Sequence, residues 1–400
     1  MIYLDYNATT PVDKRVISAL TQCLEETYGN PSSTHQLGQA AKAALCTARA
    51  QVAALLGCPS DAILFVSGGT ESINYVLKGM LASHKAQRHI ITSAVEHVAV
   101  SATCKYLAET HGFEITTLPV DALGRVAVDD VIAAVRPTTC LISIMHANNE
   151  VGTIQPIGAI AAAARAHHAA LLVDDTRGLS PLLLHTDASQ SIGKIHVDVD
   201  ALHVDFLTVA GHKLYAPKGI GALYIRPGTR RLETLMHGAG HENGLRAGTE
   251  NIPYAVALGT ACALARDYLQ AHPRALWTLR SALYTQLHDK LRDVDMAVNG
   301  PSTEHDVLPN TLSIGFANVQ ASALLHAIED RVAASAGSAC HSHATSISAV
   351  LRAMHVPATY AMGTLRLSVG RETTLDEINT ASTIIADGVR QQLQKKRRVA

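Results

Sequence analysis

Four stretches of this chain hold residue types whose chemistry goes beyond packing. The first contains Lys213, in Asp205-Phe-Leu-Thr-Val-Ala-Gly-His-Lys213. A lysine that closes an apolar strand can be held away from water, which lowers its pKa and leaves a nucleophile for a carbonyl carbon. An ordinary surface lysine is the competing reading, and Lys194 and Lys218 are rivals that close no apolar strand. The second contains Asp187, at the end of the apolar run 182–185. An acid there is costly unless a cation sits beside it; a protonated pyridine nitrogen would serve, and a helix N-cap is the alternative. The third, Ser67-Gly-Gly-Thr70, joins an apolar run to a helical one, where glycines, free N–H groups and the Thr70 hydroxyl suit an anion. No Gly-Lys-Ser/Thr follows, so it is not a P-loop. The fourth is Ala334-Ser-Ala-Gly-Ser-Ala-Cys340-His-Ser-His343. Its small residues cannot anchor a core, so it reads as a mobile loop with an exposed thiol, whose ionisation His341 and His343 would favour; a buried structural cysteine is the alternative.

The elements that must position these groups alternate between helical and strand periods. Apolar residues from Leu37 to Leu55 recur on one helical face, and Gly57 supplies a stop. Strand-like runs follow at 62–66, 89–92, 113–118, 140–146, 182–185, 206–209 and 221–225, with helical stretches near 95–111, 129–135 and 157–168 between several of them. That alternation predicts an α/β fold with a mostly parallel sheet covered by helices. After about residue 258 the pattern changes to long helices (256–272, 275–291), strands at 311–316 and 365–369, and a helix from Leu375, which reads as a smaller α+β domain. The closing Lys395-Lys-Arg-Arg398 reads as a solvated helix end.

Composition narrows the classes further. Hydrophobic residues at 48% and charged residues at 17% allow a large core and exclude general disorder. With 33 basic against 34 acidic side chains, nothing favours a nucleic-acid or anionic-membrane partner. The longest apolar stretches fall far below the ~20 residues of a membrane span, and no signal peptide opens the chain, so the expected location is cytoplasmic. Seven scattered cysteines include no C-x-x-C pair, and neither His167-His168 nor His341-x-His343 has further ligands at metal spacing, so neither a disulfide framework nor a metal site is expected.

The chain order of the motifs is the specific signal. Tyr3-Leu-Asp-Tyr-Asn-Ala-Thr-Thr-Pro11, Tyr28-Gly-Asn-Pro-Ser-Ser33, Ser67-Gly-Gly-Thr-Glu-Ser72, Glu96-His97, Ala147-Asn-Asn-Glu-Val-Gly152, His185-Thr-Asp-Ala-Ser-Gln190, Gly211-His-Lys213, Arg246-Ala-Gly-Thr-Glu-Asn251, Gly337-Ser-Ala-Cys340 and Leu365-Arg-Leu-Ser-Val-Gly-Arg371 together resemble the cysteine desulfurase and selenocysteine lyase family, from residue 2 to about 380. The resemblance implies a fold type I pyridoxal-phosphate (PLP) enzyme related to class V aminotransferases and working as a homodimer. Its large domain, 12–258, carries a seven-stranded-type sheet; residues 1–11 and 259–400 form the small domain with the Cys340 loop.

The resemblance also implies roles. Lys213 holds the cofactor's aldehyde carbon and later moves the substrate Cα proton. Asp187 binds the pyridine N–H, His97 stacks on the ring as an acid–base group, and Asn149 and Gln190 hold its phenolic oxygen. Gly69, Thr70 and His212 face the phosphate, with Thr208 contributing and Thr249 reaching in from the other subunit. Arg366 clamps the substrate carboxylate, helped by Asn30. Cys340 attacks the substrate's sulfur or selenium and passes it to a chalcogen-acceptor protein.

Departures bear on the substrate. Ala210 stands where many desulfurases carry a phosphate-binding serine, so one phosphate hydrogen bond is either missing or supplied by Thr208. The stretch 173–181 lengthens the connection before Asp187, and this, with Cys340-His-Ser-His343 and 365–371, is similar to the selenocysteine lyases. The chain also stops soon after its last helix, without the tail by which housekeeping desulfurases dock iron–sulfur scaffolds. The expected activity is therefore removal of selenium from L-selenocysteine, or sulfur from L-cysteine, giving L-alanine, with a lean toward selenocysteine. The alternative is a cysteine desulfurase supplying iron–sulfur clusters or tRNA thiolation. An aminotransferase or racemase would need no Cys340, and a non-catalytic chalcogen carrier would need none of Lys213, Asp187, His97 and Arg366.

Overall fold

Seven strands form the central sheet of the computed structural model: β2 (Ile63–Val66), β3 (His89–Ser93), β4 (Glu114–Leu118), β5 (Thr139–Ser143), β6 (Leu183–Asp187), β7 (Phe206–Ala210) and β8 (Gly221–Ile225); the short β1 (Ile2–Tyr3) lies elsewhere. The structure describes residues 1–82, 85–341 and 344–399, with backbone alone at 338–341, 344–346 and 397–399. Spatial order is β2-β8-β7-β6-β5-β3-β4. Only β8 runs against its neighbours; the other adjacent pairs are parallel. β2, β3, β5, β6 and β7 are buried at every residue, as strands covered by helices on both faces must be. Their apolar runs therefore carry no alternation.

A second sheet holds β9 (Met296–Val298), β10 (Thr311–Phe316), β12 (Ser335–Ala336) and β15 (Thr364–Ser368) in the order β12-β15-β10-β9, all antiparallel. β1 pairs in parallel with β11 (Val332–Ala333), and Leu4 joins a core with Leu312, Leu365 and Ile385, so the N-terminus is tied to the C-terminal part of the chain. The helix Ile252–Tyr268 runs through residue 258, where the change of pattern suggested a boundary. Its Ala255, Leu258, Cys262 and Ala265 pack into the core of the large sheet, and the second core begins at Leu276. That helix therefore packs with the large sheet, although its texture already differs from the part of the chain before it.

Where small residues suggested an irregular loop, the backbone forms a hairpin of β13 (Ser338–His341) and β14 (Ala344–Ile347), with Cys340 opposite Thr345. Ser342 and His343 lie outside the described residues, as does the side chain of Cys340.

Candidate active site

Parallel strands bring their C-terminal ends to one edge, and polar residues there must face a crevice or pay for burial. β2 leads into Gly69 and Thr70, β3 into His97, β5 into Met145 and Asn149, β6 ends on Asp187, and β7 leads into Lys213. Arg366 comes from β15 of the second sheet. Gly69, Thr70, His97, Asn149, Asp187, Gln190, His212, Lys213 and Arg366 line a single cavity of about 420 Å³.

Lys213 sits on the short turn Gly211–Lys213, and its ammonium donates to the carbonyl oxygen of Asn7. Burial, reinforced by the Arg366 charge, pulls its pKa down to about 8, so a share of the amine is neutral near physiological pH. The Asp187 carboxylate is 6% exposed and accepts from Ser189 N at 2.9 Å. A buried carboxylate facing a cavity calls for a cation there. His97 caps the helix Val98–His111: its Nδ1 accepts from Ala99 N at 3.1 Å. That bond leaves Nε2 as the protonated nitrogen of the neutral ring, and desolvation at the cavity, opposed by Asp187 and aided by the Lys213 charge, lowers the ring's pKa. His212 is likewise held neutral, its pKa pulled to about 4 by burial and the Lys213 charge; its Nδ1 lies 3.2 Å from Thr9 Oγ1.

The helix Gly69–Gly79 receives no side-chain cap from Gly68, so the N–H groups of its first turn are left for an anion at the cavity. A Cβ on Gly69 would stand 3.3 Å from Ser189 Oγ, so the glycine keeps the wall open where an anion would lie. Arg366 Nη2 donates to Asp5 Oδ1 at 2.8 Å and Ser335 Oγ at 2.9 Å, and Nη1 to Asn149 O at 3.2 Å. Its Nε is buried and, among the described residues, has no partner. A phosphate group, a ring cation, an aldehyde and a substrate carboxylate each find complementary groups here.

Thr208, Asn30 and Thr249 do not line their own chain's cavity. Thr208 is fully buried behind the wall, its hydroxyl taken up by Ser72 Oγ at 2.8 Å and His185 Nε2 at 3.0 Å, so it cannot stand in for the serine replaced by Ala210. Asn30 is exposed and its Oδ1 accepts from Ser32 N, closing a local turn. Thr249 is also exposed and outside its own chain's cavity; the segment carrying it is held by Arg246, which bonds Glu71 at 2.9 Å beside the anion-binding turn.

Two residues went unassigned in the sequence. Asn7 is fully buried and joins the N-terminal segment to both sheets: its carbonyl accepts from Lys213 and Gln190, and its Nδ2 donates to Thr311 Oγ1 at 2.8 Å. Lys194, set aside for closing no strand, is buried and bonds Gln190 and Asn7. Only its position between Ile192 and Ile195 hinted at burial.

Comparison with known proteins gives a consistent result. The family model for aminotransferase class-V matches residues 2–380. A protein named cysteine desulfurase IscS from Dictyoglomus turgidum is 43% identical over 380 residues, covering 94% of this chain and 92% of its own length. Among solved structures, a NifS-like protein aligns with TM-score 0.87 and 35% identity, covering 96% of this chain and 98% of that one. A structure described as SspA in complex with cysteine aligns at 0.75 and 34%, covering 92% and 99%.

Proposed function

The chain belongs to the class-V aminotransferase family, as a PLP-dependent enzyme of the cysteine desulfurase kind, and from that premise we propose that it takes sulfur from L-cysteine, leaving L-alanine and a persulfide on Cys340. The observation that carries this reading is the convergence of Lys213, Asp187, His97 and Arg366 on one cavity beneath the aminotransferase-type sheet. Sequence relatives bear the desulfurase name, and a structural neighbour, SspA, was solved with cysteine, which favours sulfur over the selenium lean drawn from 173–181, the Cys340 motif and 365–371.

When bound, PLP supplies an electron sink for the pair left on the substrate Cα. The chain's residues do the rest. Lys213, partly neutral near pH 7, attaches the aldehyde carbon and, once displaced by the substrate amine, carries the Cα proton. Asp187 accepts the ring N–H and keeps that nitrogen positive, while Gly69, Thr70 and His212 hold the phosphate. His97, with Nε2–H left free by its Nδ1 bond, would serve as an acid beside the cofactor. Arg366, which lines the cavity, would bind the substrate carboxylate. The Cys340 thiolate then attacks the substrate sulfur: an S–S bond forms as Cβ–S breaks, that bond's electron pair passes to carbon, and the carbon is protonated to alanine. We place the working unit as a homodimer in which Thr249 of the partner subunit completes the phosphate site, since Thr249 stands exposed and away from its own cavity. A sulfur-acceptor protein then discharges Cys340.

The test is alanine formation from L-cysteine together with the mass of the Cys340 peptide. A persulfide of +32 Da on Cys340, and loss of alanine formation in Cys340→Ala, are expected. Steady alanine release from L-cysteine by Cys340→Ala, or none by the natural chain, would refute the assignment.

A further inference from the structure

Behind the cavity wall lies a second buried lysine that the reaction above does not use. Lys194 is 7% exposed, and its amine meets two amide oxygens, Gln190 Oε1 at 2.9 Å and Asn7 Oδ1 at 3.1 Å. Among the described residues no carboxylate bonds it, and burial pushes its pKa well below the ordinary lysine value. In either protonation state the amine can donate to both oxygens. Its position is built in by the backbone. The 191–195 turn is closed by Lys194 N and Ile195 N, both bonded to Ser191 O at 3.0 Å, and passes through Gly193 at φ +73°. A Cβ on Gly193 would fall 2.2 Å from Leu214 Cδ1, so only glycine lets the turn approach the residue beside Lys213.

The consequence falls on Gln190, which does line the cavity. An amide has one acceptor end and one donor end, and its neighbours decide which faces where. Because Lys194 takes the oxygen, the NH2 end is left, and one of its hydrogens goes to Asn7 O at 3.0 Å. We propose that Lys194 is a positioning residue: by holding Gln190 Oε1 it keeps the second amide N–H of Gln190 for the phenolic oxygen of the bound cofactor. Without Lys194, Oε1 would be buried with no donor, a costly state that the side chain escapes by rotating. The substrate's identity does not enter; the inference rests on the proposed placement of the ring between Asp187 and Gln190.

The test reads the cofactor itself. A hydrogen bond to the phenolic oxygen stabilises its deprotonated form, so losing that bond makes the oxygen more basic. The pH midpoint of the visible absorption band of the Lys213-bound cofactor should then rise by about one unit, and the cofactor should dissociate about tenfold more readily. The other titratable groups facing the site are His97, Asp187, His212, Lys213 and Arg366, with Asp5 beyond Arg366, and all remain in the variants. Lys194→Met and Gln190→Leu are each expected to shift the midpoint upward, and the double variant to match Gln190→Leu alone. A natural midpoint in Lys194→Met beside a shifted Gln190→Leu would overturn the role of Lys194 and leave the ring placement standing. A natural midpoint in Gln190→Leu would overturn both. Should Lys194→Met fail to fold, the double variant, which removes both polar partners, still decides: a shift beyond that of Gln190→Leu means that Lys194 acts by another route.

Discussion

Asp187 and Arg366 face one cavity, yet they are held by different means. Asp187 ends a fully buried strand inside the large sheet, and its neighbours His97, Lys213 and Gln190 are set by the same strand ends or the turns after them. Arg366 comes from the four-stranded sheet and is fastened to Asp5 and Ser335, both from the N-terminal and C-terminal segments that pack together. The cofactor end is therefore built on one sheet, with Asp187 and Gln190 already buried, whereas the substrate end is assembled across two cores. Chemistry that must not vary sits on the first, and recognition sits on the second.

The sharpest way to separate the two ends is to remove the covalent anchor. Lys213→Ala should lower kcat by about 10³-fold or more, since both attachment and proton transfer are lost. It should still retain cofactor through gel filtration, because Asp187, Gln190 and the Gly69–Gly79 helix N-terminus remain. Loss of the cofactor from this variant would show that the anchor, not the strand-end network, holds the ring.

Arg366→Lys probes the other end. A lysine cannot reproduce the fork that meets Asp5, Ser335 and a carboxylate together, so KM for L-cysteine should rise about 10- to 100-fold while cofactor affinity stays unchanged. Arg366→Gln adds a link between the ends. The Arg366 charge helps to depress the Lys213 pKa, so its removal should move the pH midpoint for cofactor rebinding to the apoprotein upward from about 8. In the natural chain rebinding should quicken as pH rises through that value, because the neutral amine is the nucleophile. An unmoved midpoint would mean that the two ends are electrically independent.

The same contrast explains what could be read from the amino-acid sequence. Lys213, Asp187 and the Gly69–Thr70 junction were legible because each follows an apolar run, and parallel strands must deliver their ends to one edge. Thr208 was misplaced because β7 is buried on both faces, so no alternation marks which side chain faces the crevice. Asn7 and Lys194 were missed because their partners are remote: Asn7 bonds residues as far away as Ser368, a pairing that no local period encodes. β1 has only two residues, too few for a period, and the hairpin around Cys340 consists of small residues with no strand signature. Asn30 was carried over by motif alone, and motifs do not specify exposure.

A stability measurement tests whether the carboxyl beside His97 is protonated in the fold. Glu96 precedes His97 and is partly buried; Ser93 Oγ donates to its Oε1 at 2.5 Å, and Met145 N donates to both carboxyl oxygens at 3.0 and 3.1 Å. Burial pushes its pKa up to about 8 from an ordinary 4.5, against the pull of those hydrogen bonds and aided by the Asp187 charge. Between these two values the folded protein keeps a proton that the unfolded chain has lost, so this residue makes stability fall as pH rises across the window and level off above about 8. Glu96→Gln has the shape of the protonated acid and nothing to ionise. Its stability should match the natural chain below the window and then exceed it by an amount growing at up to about 1.4 kcal/mol per pH unit. Urea unfolding of both proteins, with saturating cofactor, near pH 5 and near pH 8 reads that divergence. Parallel curves would mean that Glu96 is ionised in the fold as it is in the unfolded chain.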